Sequence, residues 1–159
     1  MTQHAISLET AVAITGRSRR TWWRRLAAGE ARRVGNDARG RTMLAWNDVL
    51  PWVLTAIDAD DLQMVLRADA GDADAQNDIG QLLAIADEHE AAHYWLNQAA
   101  RQHHADAMQW LARSTLAGHG TRADENIALM WLAKSAAHGS TIAQAQMRAL
   151  RRGWLAPHG

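Results

Sequence analysis

The 159-residue sequence predicts a mainly α-helical protein in two parts. Residues 1–57 read as a small helix-turn-helix head with a β-wing. Residues 58–159 read as an α/α solenoid of about two and a half helix-pair repeats. Three observations predict this. Composition is the first: 33 Ala, eight Trp and no Phe favour helices that approach closely, with a few large rings filling the gaps. The second is charge. From Arg17 to Arg41 there are nine Arg against Glu30 and Asp37, a net of +7, whereas from Asp58 to Glu90 ten acids face Arg67 alone, a net of −9. Two blocks of opposite sign mark two modules. The third is an internal period, described below.

In the head, Ser7 is placed to cap a helix over "LETAVAITG", with Leu8, Ala11 and Val12 on one side and Gly16 at its end. Ser18 is placed to cap a second helix, "RRTWWRRLAAG", closed by Gly29. Trp22 and Leu26 stand four apart and suit the core. Two short helices joined through a glycine-containing turn form a helix-turn-helix pattern. Val34 and Thr42–Ala45 then read as short strands around the turn Gly35–Gly40, and Asn47 or Asp48 starts a further helix through Trp52, extending toward Ile57. Trp23 either packs under the wing or lies against a sugar-phosphate backbone.

The segments "SLETAVAITGRSRRTWWRRLAAGE" and "ARRV...RGRTMLAWNDVLPWV" resemble the winged helix-turn-helix of the MerR and excisionase-like families. The shared pattern is an opening Leu-x-x-Ala, a T-G-x-S-x-x-T centre, arginines in the second helix and a final helix ending in Trp. Trp22-Trp23 departs from it. The resemblance implies that Arg17, Ser18, Arg19, Arg20, Thr21 and Arg24 face the major groove of double-stranded DNA. It places Arg39 and Arg41, on the wing, at the minor groove or backbone.

In the second part, "GDADAQNDIG", "HHADAMQWLA" and "GSTIAQAQMR" align Ala75, Ala107 and Ala143 at intervals of 32 and 36 residues. Trp95 and Trp131 repeat the interval of 36. The second repeat has an extra loop, "GHGTRADE", where the first has "ADEH". Each unit reads as two helices, and Asp124 is placed to cap one of them. The A-x-A-Q opening, the G-x-G-T-x-x-D loop (Gly118 to Asp124) and the W-L-x-x-A-A-like second helix resemble the Sel1-like repeats, α/α solenoids related to tetratricopeptide repeats. The likeness covers about residues 60 to 152. It departs in the first unit, which lacks the glycine loop, and in the last, which stops after one helix. It implies a protein-interaction tail.

One motif points elsewhere. His89-Glu90-Ala91-Ala92-His93 is an H-E-x-x-H, the zinc-ligating pattern of many metalloproteases. A catalytic zinc needs a third protein ligand, and the metzincin continuation would place Gly at 96, where Leu stands. The repeat offers another reason for these residues: Asp87 is placed to cap the helix, with Glu90 three residues on reaching back to it. No metal, cofactor or catalytic residue is therefore expected, and the chain is not expected to be an enzyme.

No stretch approaches the roughly 20 apolar residues of a membrane helix. The opening "MTQHAISLET" lacks the basic flank and apolar core of a secretory signal. With no cysteine, a cytoplasmic location is expected. The leading expectation is a small DNA-binding transcriptional regulator whose tail binds a protein or dimerises, with Met108, Trp110, Trp154 and Leu155 on the partner face. The alternative is an adaptor or scaffold in which the head does not bind DNA.

Overall fold

The structure, a computed structural model, describes residues 2–155, and of Trp154 and Leu155 the backbone alone. The head opens with a strand not expected from the sequence, β1 (Ala5–Ser7). Its last residue doubles as a cap: the Ser7 hydroxyl accepts from Thr10 N–H and starts α1 (Leu8–Thr15). Gly16, at φ +64°, ends α1 in the left-handed conformation. Ser18 then caps α2 (Arg19–Ala27) by accepting from Thr21 N–H. The hairpin β2 (Arg33–Asn36) and β3 (Thr42–Ala45) follows. It takes β1 as a third strand, giving an antiparallel sheet in the order β1-β3-β2 with Ile6 opposite Leu44. Trp22 is fully buried among Ile6, Leu8, Ile14 and Leu44, with its indole N–H donating to Thr15 Oγ1.

The expected helix after the hairpin is shorter than its pattern suggested. α3 covers only Trp46–Val49, and a single 3-10 turn, Leu50–Trp52, closes it. Val53 is extended, and Leu54 N–H donates to the Ile14 carbonyl at 2.8 Å, which pulls the chain back to the end of α1. Residues up to Ile57 therefore cannot continue a helix.

The solenoid runs through α4 (Leu62–Asp69), α5 (Ala73–Ile85), α6 (His89–Ala100), α7 (Ala105–Ala117), α8 (Glu125–Ala137) and α9 (Thr141–Leu155). Its signature residues have visible tasks. Ala75, Ala107 and Ala143 are each fully buried where successive helices approach. The residue three before each one caps its helix: Asp72, His104 and Ser140 accept from the N–H groups of Ala75, Ala107 and Ala143. Gln76 and Gln144 donate to the carbonyls of Ala68 and Ala136, tying each helix to the end of the one before. Asp124 caps α8 as expected.

Head and solenoid share one core. Ile6, Leu8, Ile14 and Val49 of the head are continuous with Val65, Ala68, Ile79, Leu83 and Trp95. A polar hub lies beside it. The buried Asp69 carboxylate, on α4, accepts from Ser7 N–H (3.0 Å), Ser7 Oγ (2.5 Å), Thr10 Oγ1 (2.7 Å) and Arg41 Nη1 (3.0 Å). A buried charge is tolerable when it is paired and multiply hydrogen-bonded. One carboxylate of the solenoid thus fastens a strand, a helix start and the hairpin of the head.

Candidate functional site

The basic block of the head is largely occupied by partners inside the fold. Arg19 pairs with Glu9 at 3.1 Å and Arg32 with Asp48 at 2.9 Å. Arg33 donates to Asn36, and the Arg25 guanidinium lies 3.4 Å from the centre of the Trp52 ring, with Arg17 over the same ring at 5.4 Å. The two wing arginines point to the solenoid. Arg39 donates to the Ala70 carbonyl. Arg41, half-buried, bridges Asp37 and Asp69. The expectation that Arg39 and Arg41 stand free at a wing tip is corrected accordingly: the hairpin tip is docked on α4 and the turn after it.

Ser18 and Thr21 also have structural tasks, since the Ser18 hydroxyl bonds both the N–H and the hydroxyl of Thr21. Arg20 and Arg24 are exposed on α2 and have no ion-pair or hydrogen-bond partner among the described residues. Trp23, 42% exposed on the same helix, is not packed under the hairpin.

The residues of the H-E-x-x-H pattern hold a repeat junction. Asp87 does not cap α6: it takes φ +63°, and Glu88 stands at the cap without a side-chain bond. His89 instead stacks on His119 of the next repeat, ring centres 4.2 Å apart. Gly120, at φ +71°, brings its backbone against the His89 carbonyl, and a Cβ there would overlap that oxygen and stand 3.2 Å from His93 Cβ. His93 is half-buried, its Nδ1 is unpartnered, and burial holds its imidazole below the ordinary histidine range. Among the described residues, no three histidines or carboxylates are grouped to hold a metal.

That closed junction has an open counterpart one repeat later. At the first junction, Gly80 of α5 admits Leu96 of α6 so closely that a Cβ on Gly80 would lie 2.7 Å from Leu96 Cγ. The Gly118–Gly120 loop covers the rest. At the second junction Ala112 stands in the place of Gly80, while Glu125 and Leu129 take the places of His89 and His93. No loop among the described residues closes over them. The result is a groove of about 620 Å³ between α7, α8 and α9, lined by Ala112, Leu116, Leu129, Leu132, Ala149 and Leu150. Gln109, Arg113, Glu125 and Gln146 supply its polar groups. Leu116 is its most exposed large apolar side chain, at 60%.

The sequence placed the partner face on other residues. Met108 is only 2% exposed and belongs to the core of α6 and α7, because the helix turns it toward Leu96 and Ala99. Trp110 is half-buried against the same cluster under the Arg113 guanidinium. The side chains of Trp154 and Leu155 lie outside the described residues. The signal for the groove was present in the alignment: Leu116 aligns with Ala84, and Leu129 with His93, so apolar bulk sits where the first junction is covered by a loop.

No protein-family model matches the chain, and no curated protein matches it significantly. Solved structures do. A Sel1 repeat protein from Oxalobacter formigenes is 26% identical, with a TM-score of 0.53, over 59% of this chain and 74% of that one. The protective antigen c5321, present in uropathogenic Escherichia coli strains and displaying an SLR fold, is 26% identical with a TM-score of 0.52. The match covers 69% of this chain but spans only 22% of the antigen. No helix of the described residues is long and apolar enough to cross a membrane. In fold, the helical part of the chain is similar to Sel1 repeat proteins.

Proposed function

We propose that this protein is a non-catalytic adaptor or scaffold that binds a protein partner through its Sel1-like repeats. The observation that carries the reading is the open groove between α7, α8 and α9. It has the apolar floor and few convergent polar groups of a binding cleft, at the one junction not covered by a loop of the described chain. The similarity to Sel1 repeat proteins agrees with it. The head serves in this reading as a structural cap on the first repeat, held there by Asp69. Co-purification tests it. Tagged protein should retain a partner that Leu116→Asp releases while the melting curve is unchanged. Release by Arg20→Ala with Arg24→Ala, and not by Leu116→Asp, would overturn the groove.

A second reading is favoured by one observation, the exposed and unpaired Arg20 and Arg24 on α2 beside Arg17. In it α2 reads double-stranded DNA, with Arg39 and Arg41 on the wing playing the part implied by the resemblance only after leaving α4. With about two or three phosphate contacts from α2 alone, log K would fall against log salt with a slope near −2. A gel shift on pooled random DNA at low salt separates the two readings. Binding lost in the Arg20→Ala, Arg24→Ala variant supports the second, and no shift at all removes it.

A further inference from the structure

The outer face of α9 differs in kind from the corresponding faces of α5 and α7. On α5 that face is Gln76, Ile79, Gly80 and Leu83, all buried, with α6 packed against the helix. On α7 it is Met108, Leu111, Ala112 and Thr115, all buried, Met108 toward α6 and the helix as a whole packed against α8. Carried forward by the 36-residue period, the same positions on α9 are Gln144, Met147, Arg148 and Arg151. Arg148 and Arg151 are exposed, and no helix of the described residues covers them. With Ala133, Ala136 and Ala137 of α8 they line a second groove, of about 340 Å³, on the side of α9 away from Leu116.

Two features state what would fit it. Size is the first. An apolar helix of this chain's own type seats a Leu against Gly80, and Arg148 now occupies the position equivalent to Ala112 and Gly80, so such a helix cannot approach as closely. Charge is the second. No Asp or Glu occurs after Glu125, while Lys134, Arg148, Arg151 and Arg152 all do. The groove has an apolar floor of alanines and Met147, and its charged side chains are the two arginines, Arg148 and Arg151, with Gln144 beside them.

We infer that this face docks an acidic amphipathic helix of a partner protein, lying on α9 where α6 and α8 lie on α5 and α7. The inference deepens the adaptor reading and rests on it. The floor takes small apolar residues, and carboxylates spaced one turn apart reach Arg148 and Arg151, which are themselves one turn apart (i, i+3). Ion pairs to arginine are suited to this because the guanidinium can meet a carboxylate with two hydrogen bonds.

The test uses the full chain and a pair of helix-stabilised peptides of about four turns. One carries Ala and Leu on one stripe with Glu along its flank; the other has every Glu replaced by Lys. Fluorescence anisotropy should show the acidic peptide binding, weakening with salt, and the basic one not binding. R148E/R151E should lose the acidic peptide by about tenfold or more and gain the basic one. Should that variant fail to fold, R148Q/R151Q with the salt series gives the same comparison. Equal binding of both peptides, or of neither, overturns the inference and leaves the face a polar cap. A concentration-dependent dimer abolished by R148E/R151E puts a second copy there and overturns it too. If Leu116→Asp removes the peptide, it occupies the other groove, so this inference fails while the adaptor reading stands. If partner retention proves insensitive to Leu116→Asp and to R148E/R151E alike, both fail.

Discussion

Replacing Asp69 by Asn removes one charge without opening a cavity, so it isolates the polar hub that joins head to solenoid. The carboxylate is 5% exposed and accepts four hydrogen bonds, three from Ser7 and Thr10 and one from Arg41. An amide offers one acceptor in place of two and turns an N–H₂ toward a donor. Breaking a buried ion pair by removing one partner costs about 3–5 kcal/mol, and hydrogen bonds to a charged group contribute about 1.5–3 kcal/mol each without adding fully. Arg41 keeps Asp37 and some access to water, so the lower half of that range, about 3–4 kcal/mol, is expected. With a urea slope of about 2 kcal/mol per molar, the midpoint should move down by about 1.5–2 M. Hydrogen exchange should accelerate first in β1 and at the start of α1, the segments that Asp69 holds. Arg41→Met should cost less, because the carboxylate keeps three donors, and the two changes should couple in a double-mutant cycle by about 0.5–3 kcal/mol. A loss under about 1 kcal/mol for Asp69→Asn, with unaltered exchange in β1, would refute the hub.

Trp95, 2% exposed, should cost about 3–5 kcal/mol on replacement by Ala. Trp131, at the equivalent position but only half-buried, should cost less than half as much in the same urea titration; equal losses would contradict the difference between the two junctions. Gly120→Ala should destabilise by more than about 2 kcal/mol, since it joins a left-handed φ to overlap with the His89 carbonyl; a neutral effect would mean the loop does not close there. Burial lowers the pKa of His93 in the fold, while in the unfolded chain it takes up a proton below about pH 6.5. The folded state then binds fewer protons, so stability falls as pH drops through that value and levels off beneath the lowered folded one. His93→Leu, which copies Leu129, should reduce the stability lost between about pH 7.5 and pH 5.5; an unchanged loss would assign the pH dependence to other groups.

The repeats were legible because their signals are local and recur. The aligned alanines and Trp95 are buried as their spacing implied, whereas Trp131 is half-buried; the caps three residues before the alanines, Asp72, His104 and Ser140, follow from the same helix geometry but were not read from the sequence. The hub was not legible. Asp69 lies 62 residues from Ser7, and nothing in the run of acids from Asp58 distinguishes the one that is buried. The same blindness inflated the basic block. A charge count over residues 17–41 sets nine arginines against Glu30 and Asp37 but leaves out the Glu9, Asp48, Asp69 and Trp52 that also occupy them. β1 escaped because three residues are too few to show an alternation, and its Ser7 already read as a helix cap. Met108 was assigned to a partner face because a helical stripe shows which residues lie together without showing which side faces the core. The H-E-x-x-H residues belonged to the repeat, as the alignment indicated, but by a different contact: a stacked imidazole and a glycine loop in place of an Asp87 cap.

The groove between α7, α8 and α9, not the head, is the surface proposed to meet the partner. Site-specific photo-crosslinking in the cells that make the protein tests it most directly. A photoreactive side chain placed at Leu116 and, separately, at Arg20 reports what touches the groove and what touches α2. A discrete protein adduct is expected from position 116, with the linkage mapped to one segment of the partner and lost when Leu150→Asp is added. Nucleic-acid adducts at position 20 with no protein adduct at 116 would contradict it.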